Sequence, residues 1–219
     1  MKKRVIYILS AIVICVAVIL CAAIVKFKSY SNKIFPLPEN ADSIPVLQKE
    51  ACYNFNPDDK TLMSGCSAFI SVGFVENIKG TSYRDVTYID GELYASPYTN
   101  YEIKILSDIK GKLTHEKLIP VIQYGGLSID KKNIVVLSPL LEEGKYYVLY
   151  FKVTSDGTIV LNDAYELFNI SSDEACMDAI NNMEENSLLY ECFKAYENEN
   201  TEFAPKTRYS TVYEVTDSK

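Results

Sequence analysis

The chain's only histidine, His115, lies in Lys112-Leu113-Thr114-His115-Glu116, and any Ser-His-Asp hydrolase chemistry would have to pass through it. No Gly-x-Ser-x-Gly elbow is present, and the segment falls between expected strands, so His115 reads as a solvated loop residue. The acidic pairs Asp58-Asp59 and Glu142-Glu143 are of the type used in general acid–base work. Neighbouring carboxylates point apart on a strand, however, and both pairs sit in turn-like sequence, so they read as solvated turn charges. No Asp-x-Asp-x-Asp-Gly loop supports calcium. Gly125-Gly126 leads into no helix and is followed by no Lys-Ser/Thr, so it is no phosphate cradle. These observations predict no catalytic residue, no metal and no cofactor.

Six cysteines remain to be placed. Cys15 and Cys21 lie in an apolar N-terminal run, where they serve as small apolar residues. Cys52, Cys66, Cys176 and Cys192 form an even set, and in an exported domain such a set is a candidate for disulfides. Local pairs, Cys52–Cys66 and Cys176–Cys192, would close loops at both ends of the domain. Four reduced thiols, two of them buried in a helix face, are the open alternative. With no Cys-x-x-Cys and one histidine, neither a thiolate zinc site nor a thioredoxin-like centre is expected.

The charge is unevenly distributed. All 29 acidic residues follow Ile34 while six of the 22 basic ones precede it, so residues 34–219 carry 16 − 29 = −13. That balance opposes nucleic acid, and the 17 tyrosines, among them Tyr146, Tyr147 and Tyr150, read as barrel filling and surface β-formers rather than base-stacking platforms.

The elements that must position these residues begin with 21 uncharged residues, 5–25, rich in Ile, Val, Leu and Ala. A helix of that length reaches roughly 30 Å, the hydrocarbon thickness of a bilayer. The expectation is a cytoplasmic tail at 1–4 and a retained transmembrane helix at 5–25, anchoring the chain in the lipid bilayer. Cleavage as a secretory signal is the alternative, but the run exceeds an ordinary signal core and Lys26 and Lys28 follow it directly. Lys2, Lys3 and Arg4 nearly balance Lys26, Lys28 and Lys33, and the short tail tips the orientation to N-in, C-out, with an extracytoplasmic domain on the cell membrane. Residues 26–50, with Pro36, Pro38 and Pro45, read as a stalk or linker.

A β-barrel domain is expected over 51–170. Ala68, Ile70, Val72 and Phe74 alternate, as do Tyr101, Ile103 and Ile105, and Tyr147, Leu149, Phe151 and Val153. Asp90-Gly91 and Asp156-Gly157 mark hairpin turns, and Gly125-Gly126 ends the apolar run 118–124. Short regular strands without long intervening helices predict a closed or nearly closed antiparallel barrel, mainly β within an α+β chain. Residues 171–219 form a C-terminal helix and tail. Ser171 is the expected cap with Glu174 three positions on, Asn186-Ser187 is a break, and the 209–215 run is either an edge strand or a loose tail.

Several stretches have a shared cadence: Val72-Gly73-Phe74-Val75, then 98–113, then Ile119-Pro120-Val121-Ile122-Gln123-Tyr124-Gly125-Gly126, then Leu141 to Phe151. This pattern resembles a group of exported Gram-positive bacterial proteins with a small OB-like barrel, distantly similar to metalloproteinase-inhibitor and netrin modules. The resemblance covers roughly residues 66–161 and implies a fold and a compartment, without catalytic residues. Those inhibitors reach a metal through a freed N-terminal cysteine; Cys52 and Cys66 are internal, so protease inhibition does not carry over.

The expected function is therefore a membrane-anchored extracytoplasmic binding module, without catalysis, for an envelope protein or wall ligand. A structural or regulatory protein associating through the 171–196 helices is the alternative, and an enzyme with an unrecognised site stands behind both.

Overall fold

The computed structural model describes residues 33–50, 56–185 and 187–216. The expected membrane helix at 5–25, the start of the stalk and Cys52 lie outside the described residues. No described helix is long and apolar enough to cross a membrane.

Among the described residues, seven strands and three α-helices follow one another: β1 (Val46–Gln48), α1 (Lys60–Cys66), β2 (Phe69–Ile89), β3 (Glu92–Lys110), β4 (Ile119–Leu127), β5 (Ile134–Val136), β6 (Tyr146–Val153), β7 (Ile159–Glu166), α2 (Asp173–Asn181) and α3 (Leu188–Glu197). The strands are ordered β1-β5-β4-β3-β2-β6-β7, and β4 also pairs with β7 in parallel through Val121–Ile159 and Ile122–Val160. That extra pairing closes β2, β3, β4, β6 and β7 into a five-stranded barrel, as the spacing of the strands predicts. The arrangement is consistent with an OB-like barrel.

The β2–β3 hairpin turns at Asp90-Gly91, where φ is +51° and +84° and Ile89 pairs with Glu92. Positive φ at both central residues gives the turn whose twist matches the strands. Both strands run well beyond the barrel. β2 meets β6 only over Phe69–Phe74, so the far part of the hairpin stands out as an arm with Tyr88, Ile89 and Tyr94 exposed. Register shifts along the β2–β3 pair, including one between Arg84 and Thr87, coil the arm away from the barrel.

Two apolar layers share β2 and β6. The barrel interior is filled by Phe69, Val75, Ile103, Leu149, Phe151 and Ile159, with their neighbours. The opposite face of the same strands, Ile70, Val72, Tyr146, Val148 and Tyr150, packs against Met63, Leu189 and the two cysteines Cys176 and Cys192. Burying one such side chain contributes about 1.5–3 kcal/mol. Of the alternating set, Ile70, Val72 and Phe74 thus form the outer face, covered by helices, while Ala68 packs with the inward-pointing Phe69 and Val75 on the barrel core. Tyr146 and Tyr150 accordingly belong to this second layer and not to the barrel filling.

Local details depart from the sequence expectations. Gly125 and Gly126 do not end β4; they kink it, at φ +124° and +132°. A Cβ on Gly126 would lie 2.7 Å from Thr81 Oγ1 and 2.9 Å from Thr99 Oγ1, so only glycine lets β4 pass the hairpin and pair with β5. The cap of α2 is Ser172 rather than Ser171, its hydroxyl accepting from Ala175 N at 3.1 Å. Helix α2 ends at Asn181 and α3 starts at Leu188, with Ser187 as its cap, so the expected division into two helices is present. Helix α1, for which no expectation was formed, is capped by Asp59, which accepts from Thr61 N and Leu62 N.

The tail forms no regular strand. It is fastened by one bridge, Leu113 to Glu214, and by Tyr213 packing on the barrel core. Part of the expected stalk also lies on the barrel: Phe35 exchanges two backbone hydrogen bonds with Thr81, both 2.8 Å, and β1 adds in parallel to β5.

Candidate binding face

Because Tyr101 and Ile103 point into the barrel, Asn100 and Glu102 on the same strand must point out. On β4 the outward positions are Pro120 and Ile122. These residues floor a cleft of about 650 Å³, also lined by Arg84 of the arm and by the β6–β7 loop, Asp156-Gly157-Thr158, which Arg84 meets. Ile34 and Tyr213 complete it, so both chain ends of the described domain reach this face.

The β6–β7 loop is built around one carboxylate. Asp156 accepts from the Thr154 hydroxyl and from Thr158 N, and Gly157 N donates back to Thr154 O at 2.9 Å. The Thr154 hydroxyl, ahead of the Thr158 bonds, holds the Asp156 carboxyl down at about 2, so it is ionised throughout the physiological range. Arg84 Nη2 donates to Thr158 Oγ1 at 3.2 Å and lies 4.0 Å from Asp156 Oδ2. Its guanidinium sits 5.5 Å from the centre of the Tyr98 ring, and Tyr98 meets Tyr124 edge-on at 5.5 Å. Glu102, its carboxyl held below the ordinary range first by Lys79, accepts from Lys79 Nζ at 2.8 Å and Asn77 Nδ2 at 2.9 Å. The result sets the apolar strip of Pro120 and Ile122 beside polar Asn100 and matched charges: two cations, Lys79 and Arg84, against two carboxylates, Glu102 and Asp156.

His115 does not enter this cleft. Its Nε2 lies 2.9 Å from Asp108 Oδ2, while Asp108 Oδ1 accepts from Ser71 Oγ at 2.9 Å and Leu113 N at 3.3 Å. A carboxylate standing between the serine and the histidine reverses the order that a proton relay needs, so the trio pins the 111–118 loop. The acidic pairs are likewise local fasteners. Asp59 caps α1, Glu142 pairs with Lys145 at 2.9 Å, and Glu143 accepts from Ile78 N at 2.9 Å. Among the described residues no cluster of His, Cys, Asp and Glu is placed to hold a metal ion.

Cys66, Cys176 and Cys192 are free thiols, so the local Cys176–Cys192 bridge is not formed. Both helices turn these residues onto the sheet, where Cys176 neighbours Asp173 and Tyr146 and Cys192 neighbours Tyr150. Burial pushes the Cys176 thiol up to about 11 and raises that of Cys192. Cys66 is partly exposed and donates to Phe203 O at 3.4 Å. Its expected partner, Cys52, lies outside the described residues.

Sequence reasoning missed Arg84, Tyr98, Tyr124 and Thr158. Only the Asp156-Gly157 turn signalled this end of the barrel, and nothing in it told which strands would flank the turn. No family model matches the chain, and no curated protein matches it.

Proposed function

We propose that this chain is a membrane-anchored, extracytoplasmic binding module, held in the bilayer by residues 5–25 and presenting the β3–β4 face to an envelope protein or wall ligand. The observation that carries this proposal is the 650 Å³ cleft over β3 and β4, lined by Arg84 of the hairpin arm and by the β6–β7 loop. In barrel order β3 and β4 are the second and third strands, and the walls are the first–second and fourth–fifth connections. An OB-like barrel engages extended ligands with that face and those two loops. Matched charges beside the apolar strip of Pro120 and Ile122 suit a polar chain with apolar patches, such as a peptide or a glycan. They suit a polyanion poorly, in keeping with the net −13 of residues 34–219.

An association through the C-terminal helices has less support, because α2 and α3 already bury Cys176, Leu189 and Cys192 against the barrel's own strands. The test is retention of envelope components by the full chain in bilayer discs, with and without charge reversal at Arg84→Glu or Asp156→Lys. A component retained by the parent and lost with either reversal is expected, each variant remaining folded by circular dichroism at the assay temperature. No retained component, or retention indifferent to both reversals, contradicts the proposal.

A further inference from the structure

A second cleft, of about 490 Å³, shares no lining residue with the first and lies between the end of α1, the ends of β3 and β6, and the tail at 204–209. Its volume falls in the range of small-molecule sites. Three cations line it, Lys110, Lys152 and Arg208, and no carboxylate does. In the first cleft cations and carboxylates are matched two to two, so the second differs in kind.

Two of these cations are held in position from behind the wall. Lys110 Nζ donates to Ser64 O at 2.8 Å and pairs with Glu199, and its ammonium lies 5.9 Å from the centre of the Tyr196 ring. Arg208 pairs with Glu214 at 2.7 Å and lies 5.2 Å from the Phe69 ring centre. Lys152 is exposed and makes no ion pair among the described residues. Three cations against Glu199 and Glu214 leave 3 − 2 = +1 at this place, in a domain whose total over residues 34–219 is −13. The rest of the wall combines apolar and aromatic Ala68, Val153, Pro205, Tyr196 and Tyr209 with the small polar Ser67 and Thr207.

We infer that this cleft binds a small organic oxyanion, a phosphate or carboxylate carried on an apolar body. The oxyanion takes the free ammonium of Lys152 together with the unused donors of Arg208, and the body lies against the two tyrosines. Arg and Lys together give a directional fork and a mobile point charge, the pairing suited to such a head group. The site is separate from the β3–β4 face and stands or falls without it.

The test is calorimetric titration of the full chain, in a nonionic detergent, with phenyl phosphate, and with phenol and inorganic phosphate as its two halves. Phenyl phosphate is expected to bind saturably and more tightly than either half, and added salt to weaken it. Lys152→Gln should weaken binding roughly twofold to fivefold, the scale of one solvent-screened charge contact. Its thermal midpoint should not move, because Lys152 holds nothing in place. Lys79→Gln, the same charge change in the first cleft, should leave binding unaltered. No saturable binding in the millimolar range, phenol binding as tightly as phenyl phosphate, or equal weakening by Lys79→Gln would each overturn the inference.

Discussion

Tyr101 and Tyr150 are both fully buried, yet their hydroxyls have opposite fates. Tyr101 donates to Gln123 Oε1 at 3.0 Å, in a network that ties β3 and β4 to the 138–141 segment through Leu141 N and Pro139 O. The Tyr150 hydroxyl faces Ser64 and Cys192 without a well-aligned hydrogen bond. A satisfied buried hydroxyl contributes about 1 kcal/mol, whereas an unsatisfied one is a cost of desolvation. Tyr101→Phe should therefore lower stability by about 1 kcal/mol in urea unfolding. Tyr150→Phe should change it by less than about 0.5 kcal/mol or raise it. A larger loss at Tyr150 would show that its hydroxyl is fully bonded. Asp156 sets a pH prediction at the same scale. Its carboxyl ionises at about 2 in the folded chain against an ordinary 3.8, so its stabilisation is present above the ordinary value and is lost as pH falls toward 2. The stability difference between parent and Asp156→Asn should shrink over that window. A constant difference would mean that the Thr154 and Thr158 bonds do not favour the charged form.

At the scale of elements, period-two alternation made the strands legible, and Asp90-Gly91 made the hairpin legible, because both are local properties of the chain. What alternation could not tell was which face is inside. β2 and β6 are buried on both faces, so on β6 Tyr147-Leu149-Phe151 and Tyr146-Val148-Tyr150 are both apolar or aromatic, and only the position of the helices decides between them. Pairing is non-local as well, and the β4–β7 contact that closes the barrel joins residues nearly forty positions apart. The binding face was illegible for that reason: Arg84, Asn100, Pro120 and Asp156 come from four separate segments. The Gly125-Gly126 kink reads locally as a turn because a positive-φ glycine serves either purpose. Gly126→Ala should cost at least about 2 kcal/mol, from positive φ together with contact on Thr81 and Thr99. Gly91→Ala, with open space around it, should cost only about 1 kcal/mol, from the backbone alone. Equal thermal shifts for the two would show that β4 relaxes around residue 126.

The whole molecule separates its tasks in space. Helices α2 and α3 cover one side of the barrel and complete its second apolar layer, which leaves the β3–β4 side open beside the arm and the β6–β7 loop. An isolated two-stranded ribbon is marginally stable in water, so the arm beyond the barrel is the part of the fold most readily ordered by a partner. Its tip carries Tyr88, Ile89 and Tyr94 beside Asp85, Asp90 and Glu92, an apolar surface edged with negative charge. If the domain is extracytoplasmic, protease added outside intact cells should degrade it while the N-terminal tail stays protected. Degradation only after lysis would place it on the other side. The most direct test is photocrosslinking in those cells, with a photoreactive side chain at Pro120 on the β3–β4 face and, in a separate chain, at Glu184 beyond α2. A light-dependent adduct from position 120 that position 184 does not give is the expected result. No adduct at 120, or the same adduct from both positions, would contradict a binding module that works through this face.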